Sequence, residues 1–256
     1  MNKSSLILHT GTSAVERGQL ANVTTPARTA TWVPIAHNRL VDGIIGELES
    51  NHMNIVSESH GLTKDGSRYF GLLQVANGEN AGDFGIVIGV RNSHDKSFPA
   101  GLVVGAAVFV CDNLSFSGEI KLARKHTSNI NRDLPQLISR AVGQLGAQRD
   151  KQDHRFASYK ETVFTDAQAH DLIIRAVDTL VCPVTYIPGV LAEWREPRHE
   201  AFRAKGKTAW RLFNAFSECL KGNLAHLPKR TQALHGLLDV ACKIGNKAQT
   251  LTVMSA

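Results

Sequence analysis

The sequence predicts an α+β fold: an antiparallel β-meander of four to five strands packed on helices, followed by a helical C-terminal half. Three observations carry this. An amphipathic stretch precedes several Val/Ile-rich segments, those segments alternate with period two between turn residues, and after them the apolar period lengthens to about 3.6 residues and stays there.

Residues 1–31 are rich in Ser, Thr, Ala and Asn without lasting periodicity, and read as a flexible or partner-ordered arm. Order is expected to begin near Trp32. Leu40, Val41, Ile44, Ile45 and Leu48 recur at helical spacing, with Asp42, Glu47 and Glu49 opposite, which predicts a helix over 37–50. "NIVSES" and "YFGLLQV" flank Asp65-Gly66, a pair that supplies the positive backbone angles of a tight hairpin turn. "DFGIVIGVRN" and "FPAGLVVGAAVFVC" predict two more strands, and "GEIKLARKHT" alternates as an edge strand does. Leu134, Leu137, Ile138, Ala141, Leu145, Phe156 and Tyr159 predict one long helix from Asp133 to about Lys160, kinked at Gly143 or Gly146. Thr165 and Gln168 form a capping-box pair that starts the next helix. Pro183 and Pro188 read as breakers in a linker, and helices follow near 207–221 and 230–244. The domain expectation is therefore an arm over 1–31, a core over 32–182 and a basic helical region over 183–256.

At 256 residues, with 43% apolar and 20% charged residues, the chain has an ordinary globular composition that can bury a full core. Its longest apolar run, Ala100 to Cys111, is too short to cross a bilayer as a helix, and "LIL" at 6–8 is too short for a secretory signal. Cys111, Cys182, Cys219 and Cys242 are widely spaced, which suits neither a disulfide framework nor a zinc ribbon. A soluble cytoplasmic protein with reduced thiols is expected, with no membrane contact, metal or cofactor. The net charge is +6, and its placement is informative: Lys and Arg balance Asp and Glu at 18 each up to residue 192, whereas 193–256 hold 11 against 5. Such a local excess attracts polyanions.

No complete catalytic signature is present, so no reaction is assigned. "RNSHDKS", with Asn92, Ser93, His94 and Asp95, reads first as a turn between strands, although it also gathers a base, an acid and a cation at one loop. Asn113 and Asp112 suit a turn after Cys111, itself a small buried thiol. "RKHT", with Arg124, Lys125, His126 and Thr127, serves equally as a phosphate-contacting set or a solvated edge. The stretch 194–213 interleaves Arg195, Arg198, Arg203, Lys205, Lys207 and Arg211 with Trp194, Phe202, Trp210 and Phe213, the cations and rings that a strand-binding groove needs. Phe213 and Trp210 are expected in the core.

"RNSHDKS", "VFVCDNLSFSGE", "RKHT" and "TAWRLFNAF" resemble the ordered motifs of the phage and plasmid-related domain of unknown function family 932, from about Trp32 to about Ile244. The resemblance implies a mobile-element protein and carries no agreed activity. It marks Asn92, Ser93, His94, Asp95, Cys111, Asn113, His126, Thr127, Trp210 and Asn214 as matching positions. The order helix, meander, long helix is also similar to the core of phage single-strand annealing recombinases, a likeness of topology only.

Two functional expectations follow. The first is an oligomeric binder of single-stranded DNA or RNA, which protects or anneals strands in replication or recombination, with Lys121, Arg124, Lys125, His126 and the Arg195–Arg211 cluster on phosphates. The second is an enzyme or nucleotide-binding protein in which His94, Asp95, Asn113 and His126 converge on one pocket with Asn92, Ser93 and Thr127. A third class, capture of a host protein by the helical half, leaves no sequence mark.

Overall fold

The computed structural model describes residues 12–75, 84–108, 113–221 and 226–244, and their side chains except at 84, 107–108 and 113–121. Six strands form one open antiparallel sheet in chain order: β1 (Ser13–Val15), β2 (Ile55–Leu62), β3 (Arg68–Val75), β4 (Phe84–Ser93), β5 (Ala100–Val108) and β6 (Asn113–Arg124). The meander is as the alternation predicts, but it has six strands where four to five were expected. The addition is β1, inside the stretch read as an arm: three residues pair with His60–Leu62, and a 3-10 turn over Arg17–Asn22 then buries Leu20 in the core. So short a strand carries no periodicity of its own, and its pairing is non-local.

The β2–β3 turn is built as Asp65-Gly66 requires. Gly66 takes φ +68°, and the Asp65 carboxylate accepts from the Thr63 hydroxyl (2.6 Å), the Ser67 N–H (3.1 Å) and the Ser67 hydroxyl (2.9 Å). Those bonds hold Asp65 down at about 2. Helix α1 (His37–Ser50) has the expected limits, whereas the expected single long helix is two, α2 (Ile130–Gly143) and α3 (Leu145–Glu161), broken at Gln144 between the two glycines. Leu40, Val41, Ile44 and Leu48 of α1 and Ile130, Leu134 and Ile138 of α2 pack with Tyr69, Leu73, Ile88, Val90, Leu102, Val104 and Leu122 of the sheet in one core. Tyr69 lies over Gly71, where any Cβ would collide with its hydroxyl. Alternation sends Arg68, Phe70, Leu72, Arg91 and Val103 to the other sheet face, where they remain half-buried or exposed.

The chain divides into two compact units, the first running to Gln148 and the second taken up at Arg149, within α3. The described elements of the second unit are all helices, with one isolated antiparallel bridge between Val163 and Thr208. Thr165 and Gln168 exchange hydrogen bonds (3.2 and 2.8 Å) at the start of α4 (Asp166–Asp178). The segment read as a Pro-broken linker is a 3-10 turn, Val184–Tyr186, leading into α5 (Ile187–Arg195). Pro188 sits in the first turn of α5, where the missing N–H costs nothing. Helices α6 (Glu200–Ala204), α7 (Ala209–Leu220) and α8 (Leu227–Ala241) follow. Trp210 and Phe213 on α7 pack on Phe156 of α3 with ring centroids 4.9 and 5.3 Å apart, as core residues.

No described helix is long and apolar enough to cross a membrane.

Candidate functional site

Alternation along β4 separates the residues of RNSHDKS into two sets. Asn92 and His94 face the core, while Arg91 and Asp95 belong to the opposite side. On the core side they meet the strap of residues 32–36 that precedes α1, and His37, the first residue of that helix. The Asn92 amide donates to the Ile35 carbonyl (2.8 Å) and to His37 Nδ1 (3.0 Å), and His94 Nε2 donates to the same carbonyl (2.8 Å). Ile35 N–H donates to His126 Nδ1 (3.2 Å), and His37 Nε2 donates to the Gly66 carbonyl (2.9 Å). The His37 and His94 rings stack at 4.0 Å, 9° apart. Every ring nitrogen used as an acceptor must lack a proton, so this pattern requires neutral imidazoles of fixed tautomer at His37 and His126. Burial pulls His37 down to about 4, with His94 and His126 as further opposing neighbours, and burial also lowers His126.

The unfolded chain therefore takes up protons that the folded chain refuses. Stability from His37 is complete above pH 6.5 and drains as pH falls towards 4. Urea unfolding of the chain is expected to show a loss of about 3 kcal/mol from this group across that window. A flat profile between pH 7 and 4 would contradict the arrangement.

Asn92, His94 and His126 are thus brought together, but around backbone rather than around an open site. Asp95 turns away: its carboxylate accepts from Arg68 Nε (2.6 Å) and Ser97 N–H (3.0 Å). Burial opposes its charge, but these bonds outweigh burial and hold it at about 2. Ser93 donates to the Phe98 carbonyl (2.7 Å), and the Thr127 carbonyl accepts from Ile130 at the start of α2 (3.0 Å). Asn113 pairs with Val108 at the end of β6 remote from Arg124, so the expected convergence of His94, Asp95, Asn113 and His126 does not occur. Cys111 and Asp112 lie outside the described residues. Sequence reasoning missed His37, although its signal was present: it stands on the same helical face as Leu40, Val41 and Ile44. Among the described residues no group of three His, Cys, Asp or Glu side chains is placed to hold a metal ion.

The opposite side of the same sheet end is cationic and aromatic. Arg91 lies over Gly101, whose ideal Cβ would be 3.4 Å from Arg91 Nε, and its guanidinium is 5.3 Å from the Phe98 ring centre. Phe70, paired with Arg91 in register, has its ring 5.3 Å from Phe98. In the β4–β5 loop Lys96, at φ +66°, sets its ammonium 4.9 Å above Trp32 of the core-side strap. Phe70, Phe98 and Trp32 are half-buried, and Arg91 and Lys96 are exposed. Arg68 is paired with Asp95, but Arg91 has no ion pair among the described residues. Where its side chain lies along the sheet at Gly101, Arg91 is partly shielded from water, which lowers its pKa without removing its charge.

The basic stretch of the second unit is arranged otherwise. Trp194 and Phe202, either of which could have offered a stacking face among those cations, are both buried, and Trp194 Nε1 donates to Asp166 (3.0 Å). Arg198 pairs with Glu193 (2.6 Å) and Glu218 (3.5 Å), Arg203 with Glu200 (3.7 Å) and Glu196 (3.8 Å), and Lys207 with Asp166 (2.6 Å). Arg211 is buried against Trp194 and donates to the Arg195 carbonyl (2.8 Å). Arg195 and Lys205 are exposed. In the first unit Arg124 pairs with Asp133 (2.7 Å), Lys125 is exposed, His126 is buried, and the Lys121 side chain is outside the description.

A family model described as domain of unknown function (DUF932) matches residues 27–233, which takes in the strap, the described sheet from β2 onward and most of the second unit. No curated protein and no solved structure matches the chain.

Proposed function

The chain belongs to the DUF932 family, and we propose that it binds single-stranded nucleic acid at the cationic, aromatic end of its sheet, in replication or recombination of a phage or plasmid. One observation carries the reading: Arg91 lies flat on the sheet against Phe98, with Phe70 beside it and no carboxylate paired to it among the described residues. A strand binder combines cations for phosphates with ring faces for bases, and here Arg91 and Phe70 stand on paired strands with Phe98 in the loop between β4 and β5. Lys96 with Trp32 supplies a second cation and ring at the same end. The reading puts the contacts in the first unit rather than on the Arg195–Arg211 stretch, whose rings are buried and whose Arg198, Arg203 and Lys207 are paired with acids. Annealing and self-assembly belong to the same proposal, drawn from the likeness in topology.

Fluorescence anisotropy with labelled single-stranded DNA and RNA tests it. Affinity is expected to fall with salt at a slope set by the phosphates neutralised. Arg91→Ala or Phe98→Ala should weaken binding about 10-fold or more, the scale of one lost stacked base. Salt-independent binding, or unchanged affinity in both variants, would reject the reading.

A further inference from the structure

Among the described residues β1 is the only strand on the outer side of β2, and it pairs only with residues 60–62, so Ile55–Ser59, paired with β3 on their inner side, have no described strand on the outer one. Beyond Val15 the chain turns away at Glu16, and a cleft of about 240 Å³ opens there, lined by Val15, Glu16, Arg17, Glu58, Ser59 and His60. His60 is 4% exposed, with Nδ1 satisfied by the Tyr69 hydroxyl (2.8 Å). Its Nε2 is buried without a hydrogen-bond partner, with a Glu58 carboxylate oxygen 3.4 Å away and poorly aligned for one. The surroundings are acidic: Glu16, Asp42, Glu49 and Glu58 all act on the Arg17–His60 neighbourhood, where Arg17 is the cation and is already taken by Asp42 (2.8 Å). In a chain of net charge +6 this is a local negative patch.

We propose that this edge receives an extended basic peptide segment of a partner protein, which adds as a strand beside Ile55–Ser59 and places a Lys or Arg side chain in the cleft by Glu58 and His60. Unpaired strand edges bind extended peptides through main-chain hydrogen bonds, and side-chain pockets then set specificity. The acids select a cationic segment and repel nucleic acid, so the partner differs from that of the aromatic end. A slip in register between Ile55 and Ser57 leaves Val56 59% exposed. Such a bulge obstructs flat edge-to-edge pairing with a second copy, while a flexible peptide can follow it.

The probe is an end-blocked peptide of about ten residues, somewhat more than a typical strand, alternating Lys and Val and read by anisotropy with the full chain. Saturable binding is expected, weakened about 10-fold or more when alternate backbone nitrogens are methylated or Lys is replaced by Glu. Glu58→Lys should cause a similar loss, with an unchanged thermal melt and unchanged affinity for single-stranded DNA. Arg91→Ala should leave peptide binding intact, so this proposal and the nucleic-acid reading fail separately. Equal affinity for the methylated peptide, or undiminished binding to Glu58→Lys, overturns the proposal. So does self-association in sedimentation that Glu58→Lys abolishes while the peptide fails to bind, because the occupant is then a second copy.

Discussion

Asn92→Asp is expected to cost the first unit about 3–5 kcal/mol at pH 7, the scale of an uncompensated buried charge. Asn92 is fully buried, and both protons of its amide are spent, on the Ile35 carbonyl (2.8 Å) and on His37 Nδ1 (3.0 Å). A carboxylate has no proton to give and would face two acceptors. Acid supplies the missing proton, either to the new carboxyl or to His37, so the deficit of the variant should narrow as pH falls from 7 to 5. The unaltered chain moves the opposite way, because His37 neutral is part of its fold. Asn92→Leu, of similar volume, should lose about 1–3 kcal/mol from unpaired partners, with no such recovery. Urea unfolding of the three proteins at the two pH values checks this. A deficit for Asn92→Asp that stays constant with pH would contradict the tautomers assigned to the strap.

Trp194→Ala is expected to destabilise the second unit by about 3–5 kcal/mol, the usual cost of emptying a core aromatic site. Its ring is fully buried, its Nε1 donates to Asp166, and the Arg211 guanidinium rests 5.6 Å from the ring centre. Asp166 also holds Lys207 (2.6 Å), so the loss loosens a small polar network as well as the packing. Affinity for single-stranded DNA, measured under conditions where the variant is folded, should not change. A fall in affinity with stability intact would return Trp194 to the role of a stacking face.

What could be read before the structure was local. The limits of α1 follow from its apolar spacing, the start of α4 from one Thr and one Gln, and the β2–β3 turn from Asp65-Gly66, because in each case the partners lie within a few residues. β1 could not be read: Ser-Ala-Val has no pattern, and its pairing is to His60–Leu62, far along the chain. Pro188 misled because a proline that ends one helix and a proline that opens another look alike in sequence.

The site divides in the same way. Asn92, His94 and His126 stood out as residue types, but what unites them is the backbone of Ile35, and a main-chain carbonyl leaves no mark in a sequence. The basic stretch misled for the converse reason. Glu196 and Glu200 near Arg203 were visible as close neighbours, whereas Asp166 reaches Lys207 from another helix. Arg91, Phe70 and Phe98 passed as ordinary strand and loop residues until register set them side by side.

Photo-crosslinking locates the bound strand directly. The chain would be irradiated with single-stranded DNA carrying 5-iodouracil, and the adducts mapped by mass spectrometry. Adducts at Trp32, Phe70 and Phe98, lost in Arg91→Ala, are the expected result. Adducts confined to the 194–211 segment, or none above an unirradiated control, would contradict binding at the sheet end.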